Sequence, residues 1–176
     1  RNDLFERINR GSDLLRNMEK RKGSYQGAFT DLIYKECAKN PLLPSLTPLA
    51  KSVTNRQEHE ELILRFFAFS DQYPKYGRIS YGVSDALDAY MKEKNESLRP
   101  DERDDMSESF KRMIDYVRAS FLYGFTAGKD KYVSRSVFEA ISVGVHLALR
   151  VRPDLPTREI DFSKWMRDPD FRAVVS

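Results

Sequence analysis

Thiol and imidazole are scarce in this chain of 176 residues. Cys37 is the single cysteine, which excludes an internal disulfide and a cysteine zinc cluster. A lone thiol on a helical pattern reads as a small buried side chain, and it fits a reducing, cytoplasmic setting. The histidines are His59 and His146. His59-Glu60-Glu61 begins like a zinc-protease motif, but that motif needs a second imidazole four residues on, where Ile63 stands. His146 lies in an apolar helical pattern without a partner His, the setting of a structural histidine. Two distant histidines make no triad, and no Gly-x-Ser-x-Gly elbow, Walker loop or Gly-x-Gly-x-x-Gly occurs. Long apolar runs are lacking too, so no segment predicts a transmembrane helix and no membrane partner is expected. A formal net charge of +3 is too small to imply nucleic acid by itself.

What is present is a globular composition, 40% hydrophobic and 32% charged, on a chain long enough to bury a core. The pattern is helical almost throughout. Leu4, Phe5 and Ile8 make the apolar stripe of a first short helix that ends at Gly11, and a second short helix over about 16–22 closes at Gly23. A third spans Tyr25 to Lys39, with Phe29, Leu32, Ile33 and Cys37 on one face. Pro41, Pro44 and Pro48 allow only short turns over 40–50. Thr54 or Asn55 is expected to cap the next helix, which runs to Tyr73 and is apolar on so much of its circumference that it should be central. Ser84 is expected to cap a helix over 85–95. Pro100 suits a first helical position, and Asp101, Glu102, Asp104 and Asp105 complement the helix dipole there better than they suggest a cation site. Phe110, Met113, Ile114, Val117, Phe121 and Phe125 would form that helix's core face. Another helix covers 134–149, and a last one is expected near Thr157, with a short helix possible in the tail after Pro169. No alternating strand pattern and no repeat occurs. The expected fold is therefore all-α, an irregular multi-helix bundle over 1–176, divided into motif-bearing helices at 1–23, a helical core at 24–150 and an extension at 151–176.

The most informative stretch is Phe5-Glu6-Arg7-Ile8-Asn9-Arg10-Gly11-Ser12, followed by Glu19-Lys20-Arg21. Residues 1–23 hold seven basic and four acidic side chains, and the remainder is balanced at 23 of each. The charge excess read along the chain thus lies at this end, as an anion-facing surface or as a solvated helix face. Backbone amides around Gly11, the Asn9 amide and the Ser12 hydroxyl could converge on an oxyanion, with Arg7, Arg10 and Arg21 to neutralise it. Equally, Asn9 and Ser12 could simply tie a helix-turn-helix together. The chain opens on Arg1 and enters this motif almost at once, so a piece of a larger protein is expected.

Phe5-Glu6-Arg7-Ile8-Asn9, Gly11-Ser12, Glu19 and Arg21, then Tyr25-x-Gly27-x-Phe29, resemble the second half of the ParB/sulfiredoxin-like domains found in GmrSD-type modification-dependent restriction and phage-defence proteins. Glu60-Glu61-Leu62-Ile63-Leu64-Arg65-Phe66 is similar to a later helix of that family, and Arg135-Ser136-x-Phe138 to a C-terminal one. The resemblance covers about 1–150. It implies the helical portion of a larger α+β domain that senses or controls attack on foreign DNA. It also implies a nucleoside triphosphate with Mg as cofactor, held mainly by an N-terminal ParB-like segment bearing Asp-Gly-Gln-Gln-Arg. That motif and the family's HNH-type nuclease motif are absent from this chain, and Arg10 stands where the family often has Thr.

Three functions follow as expectations. In the first, Arg7, Asn9, Arg10, Gly11, Ser12 and Arg21 complete a nucleotide or phosphate site, Glu19 orients Arg21 or Arg7, and no residue of this chain is itself catalytic. In the second, a non-enzymatic module presents Arg16, Lys20, Arg21 and Lys22 to DNA phosphates. In the third, the chain is a protein-interaction bundle; the apolar surface of Leu4, Phe5 and Ile8 is then expected to meet the missing half, and self-association of the fragment would be an artefact of its exposure.

Overall fold

A computed structural model of the chain describes residues 17–54, 57–75 and 82–169. The fold is all-α, and among the described residues no strand forms. The nearest approach to one is an isolated parallel bridge between Phe121 and Ile160. Two compact units emerge, one from residues 1–39 and 51–107, the other from 40–50 and 108–176.

The first unit begins with α1 (Asn17–Ser24), where Glu19 lies in the first turn and Arg21 and Lys22 in the last. That order of charge suits the helix dipole. After Gly27 comes α2 (Ala28–Asp31), which continues into a π-turn at Leu32–Glu36 and a 3₁₀-turn at Cys37–Lys39. The predicted single helix is therefore one continuous path with three different pitches. Leu32, Ile33 and Phe29 are fully buried along it, and Cys37 is buried as expected. After the short α4 (Lys51–Thr54) runs α5 (Glu58–Gln72), the central element the sequence predicts. Leu62, Ile63, Leu64, Phe66 and Phe67 are all buried on it, each worth about 1.5–3 kcal/mol of transfer free energy. Phe29 packs edge-on to Phe67 at 5.8 Å and to Tyr90 at 5.5 Å between ring centroids. The expected cap at Thr54 or Asn55 is corrected. Gln57, in the left-handed conformation at φ 60°, precedes α5 and makes no side-chain cap bond. Thr54 belongs to α4, and Asn55 lies outside the described residues.

The first unit ends with α6 (Val83–Ser97) and the opening turns of α7 (Pro100–Ser120). Gly82, not Ser84, stands at the α6 N-cap. Pro100 opens α7 as predicted, and Asp101 and Glu102 fall in its first turn. A bond from the Glu102 backbone amide holds the Asp101 carboxyl below its ordinary range, with Arg99 adding to the effect. A polar belt ties these helices together. The Tyr90 hydroxyl donates to Asp71 Oδ2 at 2.7 Å, and Lys94 Nζ lies 3.0 Å from Asp71 and 2.5 Å from Glu102.

The second unit contains α3 (Leu43–Leu46), the later turns of α7, α8 (Arg135–Val151) and the short α9 (Phe162–Trp165). Phe110, Met113, Ile114 and Val117 of α7 are buried, as are Val137, Phe138, Ile141, Val145 and Leu149 of α8, matching the predicted faces. Phe121 and Phe125 are buried too, but α7 stops at Ser120, so they belong to the turn beyond it. There Gly124 adopts φ +57°, and the Phe125 amide donates to Leu46 O at 3.0 Å. A Cβ at Gly124 would sit 2.8 Å from that same carbonyl oxygen, so the turn requires glycine. Ser134 caps α8, accepting from the Val137 amide. The helix expected at Thr157 is corrected. Thr157 is exposed and irregular, and α9 starts five residues later behind Asp161, which accepts from the Ser163 amide at 3.0 Å. The tail helix expected after Pro169 lies outside the described residues.

Candidate functional site

Of the residues singled out in sequence, Arg7, Asn9, Arg10, Gly11, Ser12 and Arg16 lie outside the described residues, as do Leu4, Phe5 and Ile8. The rest sit on α1. Lys20 and Lys22 are exposed and Glu19 is half-buried. Lys22 Nζ lies over the Tyr34 ring, 4.6 Å from its centroid.

Arg21 is the surprise. It is a charged side chain on a short polar helix, yet only 2% exposed. Its Nε donates to Asp88 Oδ1 and its Nη1 to Glu61 Oε2, each at 2.5 Å. Nη1 also meets Met18 Sδ at 3.7 Å. Nη2 donates to the Ser84 carbonyl at 3.1 Å and the Ser84 hydroxyl at 3.2 Å. A guanidinium has five N–H donors, and these five acceptors account for all of them. The expectation that Arg21 meets a phosphate is therefore corrected, because no donor of this side chain remains for a ligand. Glu61 and Asp88 are the carboxylates that hold the Arg21 guanidinium.

Glu61 is the second centre of the cluster. It is 4% exposed and also accepts from Arg65 Nε at 2.9 Å. A carboxylate shared by two guanidiniums repays the desolvation of burial through charge-assisted bonds. Sequence reasoning passed over this residue while testing His59-Glu60-Glu61 as a metal motif. The available signal was the i,i+4 spacing of Glu61 and Arg65 on a helix apolar almost all round, where a charge needs a partner. Ser84 was read as a cap, yet it serves as an acceptor for Arg21. Around the cluster, the Tyr34 hydroxyl lies 3.0 Å from the Met18 carbonyl and 2.8 Å from Gln57 Oε1. Burial chiefly, and then the charge of Glu60, pushes the Tyr34 phenol well above its ordinary range.

The arrangement is an anchor. It fixes α1, the helix that follows the Asn9-Arg10-Gly11-Ser12 stretch in sequence, to α5 and α6 by a buried ion-pair network. Among the described residues, no group of three or more His, Cys, Asp or Glu side chains is placed to hold a metal ion. No described helix is long and apolar enough to cross a membrane. No protein-family model, curated protein or solved structure matches the chain.

Proposed function

We infer that this chain is the helical part of a nucleotide-dependent DNA-restriction or anti-phage defence protein acting in the cytoplasm. Arg7, Asn9, Arg10, Gly11 and Ser12 complete a phosphate site whose Asp-Gly-Gln-Gln-Arg motif is supplied by a ParB-like segment. The single observation that supports this reading most is the Arg21–Glu61 pair. Two segments that carry the family resemblance, 40 residues apart, meet at 2.5 Å in the interior. Phe29 of a third such segment packs on Phe67, next to the Glu60–Phe66 stretch. Arg21 then acts as a positioning residue for the motif and not as a ligand. The nucleoside triphosphate and its Mg would be held by the ParB-like segment with the Asn9–Ser12 turn, and DNA and an HNH-type nuclease would be downstream partners. The test is NTP hydrolysis with the Asp-Gly-Gln-Gln-Arg segment in place, comparing wild type with Asn9→Ala. Turnover that collapses in the variant while its helix content persists is the expected result. Equal turnover in both would make the turn purely structural.

The second reading, a non-enzymatic DNA-binding module, draws on the exposed Lys20 and Lys22 of α1. It gains nothing from Arg21. It predicts that removing both lysines lowers the salt slope of DNA binding by about two.

A further inference from the structure

α1 is held to its unit in a different way from the other helices. It is eight residues long, too short for a helix to persist in water by itself. Its buried side chains are Met18 and Arg21, so apolar packing supplies little of its attachment. The rest is polar. Arg21 reaches Glu61 on α5 and Asp88 and Ser84 on α6. The Met18 carbonyl accepts from the Tyr34 hydroxyl at 3.0 Å, and Lys22 lies over the same ring. Just past α1 the chain is tied down by separate bonds. The Thr30 hydroxyl donates to the Tyr25 carbonyl at 2.7 Å, and the Thr30 amide donates to Asn95 Oδ1. Between Arg21 and this tie stands Gly23, in the last turn of α1, where a change of backbone direction costs least.

The receiving side can do without Arg21. Glu61 turns Oε2 to Arg21 and Oε1 to Arg65, one turn along α5. The Asp88 side chain is 40% exposed, so water can replace the guanidinium there. Breaking a buried ion pair ordinarily strands a charge. Here the lifting of α1 would leave Glu61 with Arg65, and Asp88 and Ser84 with solvent. We propose that α1 is a strap that opens and closes as a unit, with Arg21 as its latch and Arg65 as the stand-by partner of Glu61. The two arginines compete for one carboxylate, and that competition keeps the closed state from being permanent. The functional consequence rests on the reading of the Asn9–Ser12 turn given above. Opening would dismantle that phosphate site, and a bound phosphate group would favour closure by the same factor by which closure favours the phosphate.

The experiment is amide-resolved hydrogen exchange on the full chain with no nucleotide present. The reference is the pair of amides at Phe66 and Phe67, in the buried stretch of α5. Corrected for intrinsic rates, the α1 amides should exchange together, through one opening, at least about tenfold faster than the reference pair. Arg21→Met keeps an apolar stem beside Met18 and removes the latch. In that variant α1 should lose its protection while Phe66 and Phe67 keep theirs. Arg65→Met tests the stand-by role. Without Arg65 the open state leaves Glu61 with no arginine, so α1 should exchange about fivefold more slowly relative to the reference. A merely structural Arg65 would not slow it. The proposal is overturned if wild-type α1 exchanges only together with Phe66 and Phe67. It is also overturned if Arg21→Met strips both of protection or leaves α1 protected, or if Arg65→Met leaves α1 exchange unchanged or faster. None of these readouts involves nucleotide turnover or Asn9→Ala, so the strap and the phosphate site fail or succeed separately.

Discussion

Arg21 shows how far a residue's chemistry depends on where the chain carries it. In sequence it belongs to a basic run, Lys20-Arg21-Lys22, that invites a phosphate. In the structure its neighbours keep their charges in solvent while Arg21 turns inward and binds carboxylates on two other helices. Breaking a buried ion pair is costly because the remaining partner keeps its desolvation penalty without full compensation. Arg21→Ala should therefore lower unfolding free energy by about 3 kcal/mol, with Glu61 left to Arg65 alone. Arg21→Lys should recover little, since an ammonium cannot reach Glu61, Asp88 and Ser84 from one planar fork. Asp88→Asn should cost no more than about 1 kcal/mol, because the Asp88 side chain is 40% exposed and its pair is screened. Urea titration of the three variants gives the order. Equal losses for Arg21→Ala and Asp88→Asn would count against a buried anchor. A phosphate ligand at Arg21 would instead leave stability nearly unchanged and alter nucleotide affinity.

At the scale of elements, the sequence shows helices clearly and their ends poorly. Apolar periodicity located α5, α6, α7 and α8 because burial dictates it, and Phe138, Ile141 and Val145 lie inward as the spacing requires. Ends depend on contacts from elsewhere in the chain, which local patterns do not contain. Gly27 illustrates this. It stands at the N-cap of α2 and offers no side chain, and the cap is provided by Asn95 of α6, whose Oδ1 accepts from the Thr30 amide at 3.0 Å. Asn95 Nδ2 in turn reaches Thr30 Oγ1 at 3.0 Å and the Met91 carbonyl at 2.9 Å. No rule of the form Ser-x-x-Glu could reveal a cap that comes from a helix 65 residues away. The same approach explains the glycine in Tyr25-x-Gly27-x-Phe29, since a Cβ there would lie 2.6 Å from Asn95 Oδ1. Gly27→Ala should thus displace Asn95 and cost about 2 kcal/mol, and Asn95→Ala about the same, through the unsatisfied Thr30 amide. Because both changes break one contact, the double variant should cost little more than either single one. Full additivity in thermal melts would mean that the two residues act independently. The site was less legible than the helices for a related reason. Glu61 and Ser84 gain their roles only when α1 brings Arg21 to them, and the division of the chain at Ser107 and Glu108 falls inside a continuous helix with no break in its pattern.

For the molecule as a whole, the titrating groups with raised pKa values point to one vulnerability. Burial pushes the Cys37 thiol up to about 12, with Glu36 adding to the shift. Burial likewise raises the phenols of Tyr25, Tyr34 and Tyr90, aided by the charges of Asp88, Glu60 and Asp71 respectively. Burial alone would lower Lys94, but its bonds to Glu102 and Asp71 outweigh that and leave it raised. All five groups lie in the unit formed by residues 1–39 and 51–107. In each case the folded chain binds its proton more tightly than the unfolded chain does. The associated stability is complete below the unfolded values, about 9 for the thiol and about 10 for the phenols and the amine. It then falls as pH rises toward the folded values, because the native state holds more protons across that interval. The expected outcome is a level stability between neutral pH and about 9, then a decline as the thiol, the phenols and the amine titrate in the unfolded state alone, with Tyr25 contributing least because solvent screens it. Cys37→Ala tests the first part of that window, in which the thiol is the main contributor. Measured by urea unfolding and referred to its own stability at neutral pH, the variant should decline less steeply than wild type between about pH 9 and 10. In the folded wild type the same thiol should react slowly with a disulfide reagent at mildly alkaline pH and rapidly once urea unfolds the chain. Parallel stability curves for the two proteins, or fast labelling of the folded chain, would show that Cys37 is not held protonated by burial.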